Sequence, residues 1–208
     1  MNYEILLAFA LATASLAIFP GPDNIYVLTQ SIANGKKYGL ATTAGLISGC
    51  LVHTTLLAFG ISAIIKVNPS LFFIIKLFGA FYLFYLAFSV WRAKPELDLN
   101  AKKVNRKSLT QLYKQGFIMN VLNPKVTIFF LAFFPGFLFS TFLSTTLQFY
   151  VLGLIFMIIS FSIFALIAIL AGSIAVYFQR HDKAAMVLKW LQIFVFLGIG
   201  LYLLLSYK

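Results

Sequence analysis

Asp23 and Lys125 are the residues best placed to do chemistry. Asp23 is the only acidic residue well within an apolar stretch, Glu4 sitting at the outer edge of the first, and it follows Pro20-Gly21-Pro22; Lys125 follows Asn123-Pro124 in a later apolar stretch. Proline has no N–H and its ring clashes with the carbonyl four residues back, so each of these points should open about a turn of helix. An opened turn leaves polar backbone that lipid cannot satisfy, so it must line protein or a watery cavity. The half-helix beyond it presents free N–H groups and a positive dipole end, which suits a carboxylate. A carboxylate and an ammonium at two such breaks form a set that can hold a zwitterion. They can equally form an ion pair or handle a proton. Asn24 and Asn123 offer amides to the opened backbone or to a ligand, and Asn120 lies one turn before Asn123. A bare structural kink and a static Asp23–Lys125 salt bridge are the bland alternatives.

Gly45, Gly49 and His53 recur every four residues and form one stripe. Glycines at this spacing let a second helix approach closely, so His53 faces protein rather than lipid. A hydrogen bond across helices is its plain role, and a proton relay is the functional one, since imidazole titrates near neutral pH. Cys50 beside His53 supplies too few ligands for zinc, so no metal and no cofactor are expected. Ser48 and Ser160 lack a histidine and an acid at the spacing a hydrolase needs, and no phosphate-cradling glycine-lysine loop is present. The chain is therefore not read as an enzyme.

These residues must be positioned by elements that live in lipid. Of 208 residues, 62% are hydrophobic and 10% are charged, with a mean hydropathy of +0.96. Soluble domains have about 45–50% apolar and about 25% charged residues. A soluble fold of this length has no interior large enough for the excess. Six apolar segments reach the roughly 20 residues that a crossing helix needs: Tyr3–Thr29, Leu40–Ile65, Leu71–Trp91, Leu112–Phe134, Leu147–Phe178 and Val187–Leu205. The two breaks interrupt the first and the fourth. Period-two alternation is absent, so the expected fold class is all-α, a bundle of six transmembrane helices and not a β-barrel.

Sixteen Lys and Arg against five Asp and Glu give a net charge of +11. In a soluble protein that excess would suggest nucleic acid; in a membrane protein topology accounts for it. Lys36 and Lys37, then Arg92 through Lys114, then Arg180, Lys183 and Lys189 fall on alternate connections. Lys66 and Lys208 are the exceptions. The positive-inside tendency puts the basic connections in the cytoplasm and both termini outside the cell membrane. The hydrophilic stretch at 92–111 divides one transporter domain into halves of three spans, about 1–91 and 112–206. An odd number of spans turns the second half upside down, the inverted-repeat plan of many secondary transporters. Lys76 reads as a snorkelling side chain and His181 as a solvated one.

At these residues the sequence resembles the lysine-exporter/homoserine-threonine-exporter (LysE/RhtB) family of amino-acid efflux proteins. The resemblance rests on Phe19-Pro20-Gly21-Pro22-Asp23-Asn24, Asn34-Gly35, Gly39, Gly45-x-x-x-Gly49, Gly79-x-x-Tyr82-Leu83 and Gly116-Phe117-x-x-Asn120-x-x-Asn123-Pro124-Lys125. Phe129 to Phe133 with Pro135 extends the last motif, while Gly136 stands where the family commonly has glutamine. The resemblance implies gradient-driven export of amino acids, by proton or ion antiport, and membership of a family whose members are often oligomeric. One acid and one base at the breaks favour a neutral amino acid over a basic one. An ion or solute channel and a non-transporting membrane subunit are the rival readings.

Overall fold

A computed structural model describes residues 2–18, 21–67, 69–93, 107–180 and 182–205. Every regular element among them is helical. The first apolar segment folds as α1 (Tyr3–Ile18) and α2 (Pro22–Asn34), which meet at 57°. The fourth folds as α6 (Leu109–Val121) and α7 (Pro124–Phe133), continued by a 3-10 turn over Phe134–Phe137, with a bend of 51°. The second contains α3 (Lys36–Leu56), a π-helical stretch at Leu57–Ile61 and α4 (Ser62–Val67); the third is α5 (Pro69–Arg92). Segments five and six give α8 (Thr145–Ile169), α9 (Ala171–Arg180) and α10 (Asp182–Leu205). The three spans running through α3, α8 and α10 are long and apolar enough to cross a membrane, and each bent pair adds one more. At 24 residues, α5 is also about 36 Å long.

One boundary differs from the sequence reading. Leu147–Phe178 reads as one apolar run, but α8 ends at Ile169 and the chain turns at Leu170 before α9. The 25 residues of α8 already extend about 37 Å, beyond the ~30 Å hydrocarbon core. Beyond the turn, Ile174 N–H restarts helical bonding on the Leu170 carbonyl.

Helix pairing follows the small residues. A side chain added to Gly45 would run into the Tyr113 carbonyl, one added to Gly116 into the Thr42 carbonyl, and one added to Gly49 would come within 2.7 Å of Asn120 Oδ1. This close approach locks α3 to α6. The π-helical stretch is held from α8, where the Thr146 hydroxyl donates to the Ala58 carbonyl at 3.2 Å. Some pairings survive exchange of the chain's halves, α3 on α8, α5 on α10, and α3–α6 matched by α8–α1, whereas α2 on α3 and α5 on α7 have no such counterpart among the described residues.

The core is aromatic at the end of the bundle where the chain begins. Phe9 packs against Phe133, Phe134 and Phe137, and the stack continues through Phe129 and Phe130 to Phe156. Phe129, Phe133 and Phe137 are spaced four apart, and Phe130 with Phe134 forms a second such row, so one run of sequence supplies two aromatic ladders. At the same end Gln148 is buried and spends its whole amide on the 138–144 turn. Its Oε1 accepts from Phe139 and Ser140 N–H at 2.8 and 2.9 Å, and its Nε2 donates to the Ser140 and Leu143 carbonyls at 2.9 Å each.

Candidate functional site

The two interruptions are built alike. In the first, Gly21 is the N-cap in extended conformation, Pro22 is the first helical residue of α2, and Asp23 the second. In the second, Asn123 is the N-cap, Pro124 the first residue of α7, and Lys125 the second. Proline fits the first helical position because its missing N–H would be unpaired there anyway. The charged residue therefore occupies the same helical position in each half-helix. Pro20 lies outside the described residues, as do His181 and the loop lysines 94, 102 and 103.

Asparagines join the pieces. Asn24 Nδ2 donates to the Ala17 carbonyl at 2.8 Å, satisfying the end of α1 across the break. Asn123 works on both sides of its own break. Its Oδ1 accepts from Lys125 N–H at 3.0 Å, which caps α7, while its Nδ2 donates to Asp23 Oδ2 at 2.9 Å. That second bond ties the two interruptions together. Asp23 is thus held by an amide, and no nitrogen–oxygen contact of 4.0 Å or less pairs it with Lys125. Lys125 Nζ instead lies 5.2 Å from the centroid of the Phe196 ring and 3.6 Å from where a Cβ on Gly21 would stand. It reaches across to the N-terminus of α2, which has no side-chain cap.

The two charges differ in how well their helices suit them. A carboxylate in a first turn is favoured by the helix dipole, by about 0.3–1 kcal/mol, and a cation there is disfavoured by a similar amount. Asp23 is placed with its dipole and Lys125 against its own. Burial adds to the cost of keeping Lys125 here, and an ammonium beside free helix N–H groups gives a site for an anion.

A cavity of about 60 Å³ separates the breaks from α3 and α8, with Asp23, Asn24, Lys125, Asn120, Cys50 and Ser160 on its wall. Pockets that hold small molecules run to about 300–1,000 Å³, so the site is closed around its charges in this conformation. Asn120 is the hub towards α3. Its Oδ1 accepts from Cys50 Sγ at 3.7 Å, and its carbonyl lies 3.1 Å from His53 Nε2. A carbonyl only accepts, so the Nε2 carries the hydrogen. His53 is buried, tilted against the Phe130 ring 5.4 Å away, and touches the backbone one turn ahead of the second break. Gly45 and Gly49 stand against α6, as the packing above describes.

Sequence reasoning brought Asp23, Asn24, Asn120, Asn123 and Lys125 to one place but missed two features. It did not assign Asn123 as the link to Asp23, although an asparagine ahead of a proline at a helix start is a recognised cap and could have been read as one. It weighed Ser160 only as a nucleophile, whereas Ser160 forms part of the cavity wall.

Fold and site together define a multi-pass helical membrane protein whose polar centre is assembled from two helix interruptions. Residues 14–207 match the LysE type translocator family. The chain belongs to that family. It is similar to the leucine efflux protein of Salmonella typhimurium, 28% identical over 200 residues, covering 96% of this chain and 93% of that one. It is 33% identical over 138 residues to the homoserine/homoserine lactone efflux protein of the same organism, covering 66% of each. An uncharacterised membrane protein of Pseudomonas aeruginosa is 27% identical over 181 residues, 85% of this chain and 84% of its own length. No solved structure shows significant similarity to the chain.

Proposed function

We propose that this translocator exports a neutral amino acid from the cytoplasm by proton or ion antiport, with the site between the two breaks as its binding centre. The observation that carries the reading is the Asn123–Asp23 hydrogen bond, which couples the two half-helices at a point where a carboxylate and an ammonium both lack a direct ion partner. Asp23 and Asn24 take the substrate ammonium, and Lys125 with the N-terminus of α2 takes its carboxylate. Gly21, Pro22 and Pro124 keep the backbone open, and Asn120 and Asn123 set the distance between the halves. His53 is the candidate proton relay beside the site, its Nε2 donating to the Asn120 carbonyl. Opening to either side proceeds by rocking of repeat halves 1–91 and 112–206 about the breaks, a reading supported by the like construction of the two breaks. Both termini face outward from the cell's inner membrane, and the 92–111 loop is cytoplasmic.

The efflux names of two relatives support amino-acid export. The test is to feed expressing cells dipeptides of leucine, homoserine, threonine and lysine and to measure what is released. Release of one neutral amino acid well above vector-only cells supports the reading. A basic substrate overturns the neutral preference, and no release of any amino acid overturns the function.

A further inference from the structure

Ser160 is the one hydroxyl-bearing side chain on the wall of the charged cavity; of the buried hydroxyls without a partner among the described residues, those of Thr13, Tyr26, Thr43, Ser62 and Ser160, it alone lines that cavity. Ser162, two residues on, donates to the Ile158 carbonyl at 2.8 Å; Ser15, Ser31 and Ser48 likewise donate four residues back, at 2.9, 2.8 and 2.7 Å. That bond is how a serine hides its hydroxyl in an apolar helix. Ser160 makes no such bond. It is 3% exposed, its hydroxyl has no hydrogen-bond partner, and it lines the cavity that Asp23 and Lys125 share. A buried donor left unpaired is costly, so this hydroxyl is kept free for something that enters.

The polar groups facing that cavity say what enters. Some acceptors are engaged, since Asp23 Oδ2 takes Asn123 and Asn120 Oδ1 takes Cys50, and the second oxygen of Asp23 stays available for a cation. The donors are not engaged: Lys125 Nζ makes no hydrogen bond among the described residues, and the N-terminus of α2 has no side-chain cap. Two free donors on one cavity wall, the Ser160 hydroxyl and Lys125 Nζ, suit an acceptor-only group with two oxygens. We propose that Ser160 binds the carboxylate of the transported amino acid, donating to one oxygen while Lys125 engages the other. Asp23 is left for the ammonium. Ser160 is then a substrate-binding residue that checks for a free carboxylate. This rests on the export reading above and extends it to a third span.

The test uses full-length protein in proteoliposomes and whichever amino acid the dipeptide-fed wild type releases, beside its carboxamide. Counterflow is measured for wild type, Ser160→Ala, Ser160→Thr and, as a control, Ser162→Ala. A hydrogen bond to a charged group predicts a KM about 10-fold higher in Ser160→Ala. The wild-type preference for the acid over the carboxamide should shrink by a similar factor. Ser160→Thr should restore most of both, and Ser162→Ala should match wild type. A merely structural serine would change protein yield or turnover without changing the acid-to-amide preference, and that result overturns the proposal. If Ser160→Ala fails to insert, Ser160→Cys, with a much weaker donor, takes its place, and an unchanged preference in Ser160→Cys overturns the proposal just as well. Wild-type transport with an unaltered preference in Ser160→Ala or Ser160→Cys sinks this inference alone, whereas absence of wild-type transport sinks the export reading beneath it.

Discussion

Asn123 does two jobs with one amide, and they respond differently to substitution. Its oxygen caps α7, which contributes about 1 kcal/mol. Its nitrogen satisfies a half-buried carboxylate, and a hydrogen bond to a charged group contributes about 1.5–3 kcal/mol. Asn123→Asp keeps the cap and puts a second carboxylate against Asp23; Asn123→Ala loses both bonds. Export by Asn123→Asp should therefore fall at least as far as export by Asn123→Ala, by tenfold or more, although Asn123→Asp should be the more stable of the two in detergent. Equal stability would mean that the cap is not what Asn123 contributes to the fold. The charges at 23 and 125 and the prolines before them were legible in the sequence, because a charge inside an apolar run is rare and has few explanations. The state of Ser160 was not. A serine in a membrane helix is silent when it bonds back along its own helix, and only the three-dimensional arrangement shows that this one does not.

Among the elements, the sequence reading was sound where glycine or proline punctuates and weaker where the chain is uniformly apolar. The α3–α6 contact was foreshadowed by Gly45-x-x-x-Gly49, and its partner glycine, Gly116, meets α3 from the opposite side. In α8 the apolar residues surround the whole helix, so neither its inner face nor its end at Ile169 could be read from periodicity. Two predictions belong here. Gly116→Leu forces a branched side chain onto the Thr42 carbonyl, and overpacking of this kind costs about 1–3 kcal/mol or more. The variant should be made at reduced yield and unfold several degrees below wild type in a thermal-shift assay, and a wild-type profile would show that α3 and α6 part easily. Gln148→Leu keeps the volume but strands the Phe139 and Ser140 N–H groups, each worth about 1–3 kcal/mol when buried. It should increase proteolysis of the 138–144 turn while leaving the 34–36 connection as resistant as before.

For the whole molecule, the charge pattern predicts a single orientation. The described lysines at 36, 37, 107, 114, 183 and 189 belong to the connections at one end of the bundle, and the 138–144 turn with Asn2 belongs to the other. Lys189 Nζ ties α10 to the Ala93 carbonyl at the basic end, at 2.6 Å. Cys50 is the chain's one cysteine and is buried, so introduced cysteines report position without interference. A membrane-impermeant maleimide should label Thr141→Cys in intact cells and Lys37→Cys only after permeabilisation. The reverse pattern would invert the topology and, with it, the direction assigned to transport.

The central claim is that the charged centre between the breaks is where the amino acid is carried. The most direct measurement compares amino-acid release from dipeptide-loaded cells carrying wild type with release from cells carrying Asp23→Asn at equal membrane abundance. Asparagine keeps the shape and can still meet Asn123 but has no charge for an ammonium, so release should fall at least tenfold while the protein stays inserted. Undiminished release by Asp23→Asn would contradict the account and place the path of the substrate elsewhere in the bundle.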